Sequence, residues 1–129
     1  MANPRILELR KQLRRENLDG ILLTNLNHIR YICGFTGSAG ALVVTLTRAD
    51  FLTDSRYTVQ ARKQVKGARV TTVAGEAIGG LGELRSLQKK HLRLAYTPST
   101  VTVAQRERIQ ELLPEALLVG GDDLVKELG

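Results

Sequence analysis

Polar side chains suited to ligand binding follow two apolar runs in this chain, GILLT at 20–24 and FLT at 51–53. An arginine guanidinium matches a carboxylate or another planar anion through paired N–H donors. Ligands of open α/β sheets gather beyond the carboxyl ends of the strands. If both runs are parallel strands, we expect Arg30, Arg56 and the tyrosines Tyr31 and Tyr57 to lie on one rim. Together with Asp54 they make five candidate side chains.

A structural alternative applies to the second group. Asp54 stands where a helix cap is needed, Tyr57 is able to pack, and Arg56 is able to pair with a neighbour. Loop residues on a rigid scaffold often carry function but need not. Both interpretations stay open from these residues alone.

Catalytic and metal-binding patterns are missing from the sequence. His28 and His91 are far apart and have no cysteine or paired carboxylates at metal spacing. Cys33 precedes a glycine at a predicted helix end, where its thiolate is not favoured, so we interpret it as a small buried apolar residue. The loop GFTGSAG matches neither a P-loop nor a nucleophile elbow. We therefore predict no catalytic residue and no metal ligand in this chain.

Helical and strand patterns alternate along the chain. Caps and periodicity predict six helices, at 4–17, 25–33, 54–66, 81–90, 102–113 and 122–128. Apolar runs predict six strands, at 20–24, 41–46, 51–53, 69–74, 93–97 and 116–119. Residues 47–50 suit a hairpin between the second and third strands. The alternation predicts the α/β class, with a mixed sheet covered by helices on both faces.

Cap residues support several of these helices. Asn3 is the expected cap of the first helix, Asn25 or Asn27 of the second, and Asp54 of the third. Thr102 with Gln105 fits a capping box, and Asp122 is the expected cap of the last helix.

Composition narrows the class of protein. The 129 residues suit one domain, and 43% hydrophobic residues suffice for a core. The net charge of +6 is scattered, and 4% aromatic residues are too few for base-stacking platforms, so we expect no nucleic-acid partner. No apolar run reaches the roughly 20 residues of a membrane span, so we expect no membrane partner. The charged segment MANPRILELRKQL lacks the apolar stretch of a signal peptide. A single cysteine fits a reducing cytoplasm.

Two motifs carry a family resemblance. NHIRYICGFTGSAGALVV followed by FLTDSRYTVQA resembles the N-terminal domain of Xaa-Pro aminopeptidases and prolidases, the creatinase-like family. That family typically shows N-[IV]-R-Y-L-[TS]-G-F-[TS]-G-S-x-G and then T-D-G-R-Y-x-x-Q-A. His28 is an added residue here, Cys33 replaces Thr or Ser, and Ser55 replaces Gly. The resemblance is weakest at 75–91, where glycines interrupt a usually helix-rich stretch.

The resemblance implies a fold, a larger protein and a role. The implied fold is a three-layer α/β/α sandwich with a mixed, mostly parallel sheet and a ribonuclease-H-like motif. Residues 1–129 would form one domain, and the catalytic pita-bread domain, with two divalent ions (Mn, Co or Zn), would lie outside this chain. The chain alone would not be an enzyme. It would support a homodimer and border the active-site entrance for proline-containing peptides, with the five side chains above as entrance or interface candidates.

Two alternatives remain at this stage. The first is a stand-alone α/β interaction module with the same fold, because a fold does not settle a function. The second is the N-terminal domain of a creatinase-type amidinohydrolase. A coding sequence that continues past Gly129 with Asp, His and Glu ligands would favour an enzyme, and a stop codon would favour the module.

Overall fold

The first helix shows how local sequence determines the start of the fold. The computed structural model describes residues 3–126 and 128. In it, the Asn3 side-chain oxygen accepts hydrogen bonds from the N–H groups of Arg5 and Ile6, and Pro4 occupies the first turn. Helix α1 spans Pro4–Arg15 and buries one face, on which the apolar residues Ile6, Leu9 and Leu13 recur at helical spacing.

The described residues contain five α-helices and six strands. The remaining helices are α2 (Leu26–Cys33), α3 (Thr58–Gln64), α4 (Val103–Leu112) and α5 (Asp122–Lys126). The strands are β1 (Gly20–Leu23), β2 (Ala41–Thr45), β3 (Ala49–Thr53), β4 (Arg69–Thr72), β5 (Arg93–Tyr96) and β6 (Leu117–Gly120). Short 3-10 helices cover Ser55–Tyr57, Ala77–Glu83 and Arg85–Leu87.

The six strands form one mixed sheet in the order β4-β3-β2-β1-β5-β6. Strand β2 runs antiparallel to both of its neighbours, whereas the pairs β3–β4, β1–β5 and β5–β6 are parallel. Consequently β2 alone points the opposite way. The carboxyl ends of the other five strands lie at one edge of the sheet, which we call the carboxyl edge, and β2 begins there.

Alternate strand residues enter two separate cores. On β1, Ile21 and Leu23 pack with the side chains of α1, α2, α3 and α5. Leu22 points to the other face, where it packs with the 3-10 helices and α4. A strand buried on both faces needs apolar side chains at every position, which explains the unbroken run GILL. The predicted three-layer α/β/α arrangement with a mixed, mostly parallel sheet is confirmed.

The prediction of one helix at 81–90 is wrong. The chain forms two 3-10 helices there, Ala77–Glu83 and Arg85–Leu87. Glycines lower helix propensity, and this stretch contains several. One of them is needed for packing, since a Cβ atom at Gly80 would lie 2.8 Å from Val73 Cγ2.

Smaller differences concern element ends. The helix predicted at 54–66 begins as the 3-10 helix Ser55–Tyr57 before α3 starts. Strand β3 begins at Ala49, two residues earlier than predicted. Asp122, expected to cap the last helix, is instead its first residue and accepts hydrogen bonds from Ser99. The part of that predicted helix at Glu127 lies outside the described residues.

Candidate functional site

A cavity of about 660 Å³ opens at the carboxyl edge of the sheet. Thr24 follows β1, Gly40 precedes β2, and Asp54 follows β3, so the wall draws on three adjacent strands. The 3-10 segment after β4 and Gln105 of α4 complete the lining. The reversed direction of β2 therefore brings the glycine-rich loop 34–40 to the same edge as Asp54. We call this space the carboxyl-edge cavity.

Asp54 and Arg56 form a charged pair in its wall. Arg56 Nε donates to Asp54 Oδ1 at 3.0 Å, and Arg56 Nη2 donates to Asp54 Oδ2 at 2.8 Å. The hydrogen bonds from Arg56 hold the pKa of the Asp54 carboxyl below its ordinary value. Asp54 Oδ1 also accepts from the Arg56 backbone N–H, which makes Asp54 the cap of the 3-10 helix. The carboxylate thus both starts this segment and neutralises its arginine.

Tyr57 connects this segment to the glycine-rich loop. Its hydroxyl forms a hydrogen bond with Ser38 Oγ. Its ring packs edge-on against the Phe35 ring, with centroids 5.8 Å apart. The centroids of the Phe35 and Phe51 rings are 4.6 Å apart. The two motifs that carried the family resemblance are therefore in direct contact.

Further hydrogen bonds hold the loop 34–40 in place. The buried Thr53 hydroxyl donates to the Ala39 carbonyl at 2.7 Å. The Thr36 N–H donates to Gln64 Oε1 at 2.9 Å, and Gln64 Nε2 donates to Thr36 Oγ1 at 2.8 Å. Because α3 and β3 both contact the loop, its shape is determined by the surrounding fold rather than by its glycines alone.

Arg30 and Tyr31 line a different cavity. It has a volume of about 670 Å³ and lies where the start of α1 meets the ends of α2 and α3. Arg5 lies over the Tyr31 ring, 4.0 Å from its centroid, and donates to the Tyr31 carbonyl at 2.8 Å. Of the five predicted side chains, the structure places Asp54 and Arg56 in the carboxyl-edge cavity, Tyr57 beside it, and the other two here.

Sequence reasoning missed several lining residues of the carboxyl-edge cavity. Ser38, Glu76, Ile78 and Gln105 belong to it, and none was named as a candidate for binding. Ser38 had a usable signal, because it stands inside the glycine-rich loop. Gln105 was identified through its capping box, which the structure confirms, but nothing in its local sequence indicates that it faces this space.

The described titratable side chains show no metal-binding arrangement. Within residues 3–126 and 128, no three His, Cys, Asp or Glu side chains are grouped as metal ligands. Burial raises the pKa of the Cys33 thiol, as expected for a cysteine packed in the apolar core rather than for a nucleophile. His28 Nδ1 is buried and has no hydrogen-bond partner among the described residues.

Comparison with known proteins identifies the family. Residues 5–128 match the family model described as the Creatinase/Prolidase N-terminal domain. The chain belongs to this family. The isolated N-terminal domain of the cytoplasmic peptidase PepQ from Mycobacterium tuberculosis has a similar structure, with a TM-score of 0.88 and 28% identity over 99% of this chain and 100% of that one.

Longer relatives contain this domain as one part. The chain is 34% identical to an uncharacterized peptidase, YqhT, from Bacillus subtilis over 94% of its own length and 34% of that protein. An Xaa-Pro dipeptidase from Bacillus anthracis aligns with a TM-score of 0.86 and 32% identity, over 97% of this chain and 35% of that one. This creatinase/prolidase N-terminal domain therefore spans about a third of the length of those two proteins. No helix in its described part is long and apolar enough to cross a membrane.

Proposed function

We propose that this chain is the non-catalytic N-terminal domain of an Xaa-Pro metallopeptidase, and that its carboxyl-edge cavity borders the entrance to the active site. The observation that carries the proposal is the contact between the two family motifs at one concave edge, through Tyr57 with Ser38 and Phe35. Family membership and the longer relatives support it. Two divalent ions (Mn, Co or Zn) in a separate catalytic domain would activate water there.

The charge pairing of Arg56 refines its expected role. Asp54 occupies the Nε–Nη2 edge of the Arg56 guanidinium, so only the terminal Nη1–Nη2 edge is left to meet a substrate. Its Nη1 group has no hydrogen-bond partner among the described residues, and 67% of the side chain is exposed. Arg56 is thus suited to donate one hydrogen bond to a peptide while the cavity rim limits the length of peptides that reach the active site.

Kinetics of the full-length peptidase tests this role. Arg56→Ala should raise KM for Xaa-Pro dipeptides about threefold to tenfold and leave kcat unchanged, as expected for one lost hydrogen bond in substrate binding. Asp54→Asn should lower KM for peptides with a free carboxylate, since Arg56 then loses its counter-charge. If Arg56→Ala alters neither KM, length preference nor dimerisation, Arg56 has a structural role only.

The isolated chain provides a second test. The purified 129-residue domain should cleave no Xaa-Pro peptide with added Mn²⁺, Co²⁺ or Zn²⁺, because the metal ligands are proposed to lie in the catalytic domain. Measurable cleavage would contradict the non-catalytic assignment. Analytical ultracentrifugation of the full-length protein should show a homodimer, and a monomer at all concentrations would remove the proposed support of oligomerisation.

A further inference from the structure

The cavity at Arg30 and Tyr31 combines apolar surface with a basic rim. The accessible Pro4 and Val65 contribute apolar surface, and no carboxylate among residues 3–126 and 128 lines the cavity. Its rim carries three cationic side chains, those of Arg5, Arg30 and Lys66. We call it the basic cavity. Such a surface complements a ligand that has carboxylates beside an apolar group.

Two of the three cations have no partner among residues 3–126 and 128. Arg30 and Lys66 are exposed, and neither forms a side-chain hydrogen bond or ion pair with any described residue. Neither is needed to cap α2. The last four carbonyls of α2 already accept hydrogen bonds, from the Gly34 N–H, the Arg5 guanidinium, the Asn3 carboxamide and the Lys66 N–H. Both positive groups are therefore available to a ligand without a loss elsewhere.

The polypeptide passes this cavity near the end of the described chain. The Tyr31 hydroxyl donates to the Leu128 carbonyl at 3.1 Å, and Arg5 covers the Tyr31 ring. A portion of a longer protein that follows Gly129 would therefore be joined to this domain within two residues of the Leu128 contact with Tyr31. The Bacillus subtilis and Bacillus anthracis relatives are about three times as long as this chain.

We infer that the basic cavity is a docking site for an acidic segment of the peptidase's catalytic portion. Carboxylates of that segment pair with Arg30 and Lys66, and an apolar side chain between them rests on Pro4 and Val65. The origin of the segment rests on the proposed function. The binding of an acidic peptide to the basic cavity is independent of the proposed function, because it depends only on charges and apolar surface in this domain.

The chemistry is tested on the isolated domain with the peptide acetyl-Glu-Leu-Glu-Leu-Glu-amide. Titration followed by ¹H-¹⁵N NMR should shift the amide signals of residues 3, 5, 6, 30–34 and 65–67, with binding that weakens as salt is added. Arg30→Gln/Lys66→Gln should weaken binding about fivefold to tenfold, the sum of two partly exposed ion pairs. The matched control Arg85→Gln/Lys90→Gln removes the same charge near the 3-10 helix on the opposite face and should retain affinity.

Three results would overturn this inference. They are equal binding of the Lys-Leu-Lys-Leu-Lys analogue, an equal loss in the control variant, and concentration-dependent shifts of the same amides without peptide, which would indicate docking of a second copy.

The source of the acidic segment is tested by hydrogen exchange in the full-length protein. Amides 30–33 and 65–67 should exchange more slowly there than in the isolated domain, and unchanged rates would exclude the catalytic portion as the occupant. Neither measurement uses catalytic activity, so failure here is distinguishable from failure of the proposed function.

Discussion

Arg56 donates two side-chain hydrogen bonds to the carboxylate of Asp54, a residue only two positions earlier, through Nε at 3.0 Å and Nη2 at 2.8 Å. The pair stands at the carboxyl end of β3 and in the wall of the carboxyl-edge cavity. The pairing leaves this part of the rim without net charge although it contains an arginine. Arg56 thus pairs with a neighbour and also lines the candidate site, two properties that the sequence offered as alternatives.

Arg56→Gln should raise the pKa of Asp54 towards its ordinary value, because the hydrogen bonds from Arg56 lower it. A carboxyl with a depressed folded-state pKa stabilises the fold above its unfolded pKa, and this contribution is lost as the pH falls through the folded-state pKa. Titration of the Asp54 carboxyl carbon by NMR measures the shift. Arg62→Gln on α3 is the charge-matched control and should leave the pKa of Asp54 unchanged.

Gly37→Ala should lower the free energy of unfolding by about 2 kcal/mol, the effect of overpacking a fixed aromatic contact. A Cβ atom there would lie 2.8 Å from Phe35 Cε2 and 2.9 Å from Tyr57 Cδ1. Gly75→Ala is the matched control, since Gly75 has a φ of +87° but no atom within 4 Å of a Cβ. It should cost about 1 kcal/mol through backbone strain alone. Urea unfolding measures both, and a smaller loss for Gly37→Ala would contradict the packing described here.

Asn3→Ala should destabilise the domain by about 2–3 kcal/mol, because this side chain serves three elements. Its oxygen caps α1, while Nδ2 donates to the carbonyls of Ile32 at 2.9 Å and Lys66 at 2.8 Å. Asn25→Ala removes only the cap of α2 and should cost about 1 kcal/mol. Thermal and urea unfolding compare the two variants. Equal losses would show that the carboxamide bonds between helices contribute nothing.

Asp50→Asn should stabilise the domain at neutral pH. Burial raises the pKa of Asp50, and the opposing effects of Ser86, Arg69 and Arg48 are smaller. Because the folded-state pKa lies above the unfolded one, ionisation costs stability at high pH, and that cost disappears as the pH falls from the folded to the unfolded pKa.

The stability gap between Asp50→Asn and the wild type should therefore narrow towards acid pH in urea unfolding from pH 4 to 8. Asp123→Asn is the exposed control, with 95% of its side chain accessible, and should show no such trend. A gap that is constant across the pH range would mean that the charge of Asp50 is not the cause.

Local sequence determined the class of fold and most element positions. Asn3 with Pro4, the unbroken GILL run, and Thr102 with Gln105 each specify their element through contacts within a few residues. The glycine-interrupted stretch at 77–90 was predicted poorly, because the backbone there follows packing against Val73 and the sheet rather than helix propensity.

Only the tertiary structure decided which candidate residues meet. The reversed direction of β2 returns the loop 34–40 to the edge where β3 ends, so Ser38 and Tyr57 come into contact across 19 residues. The short helix α2 instead carries Arg30 and Tyr31 to the start of α1, into a separate cavity. Strand direction and helix packing are long-range properties, whereas caps, periodicity and the family motifs are read within a short window of the sequence.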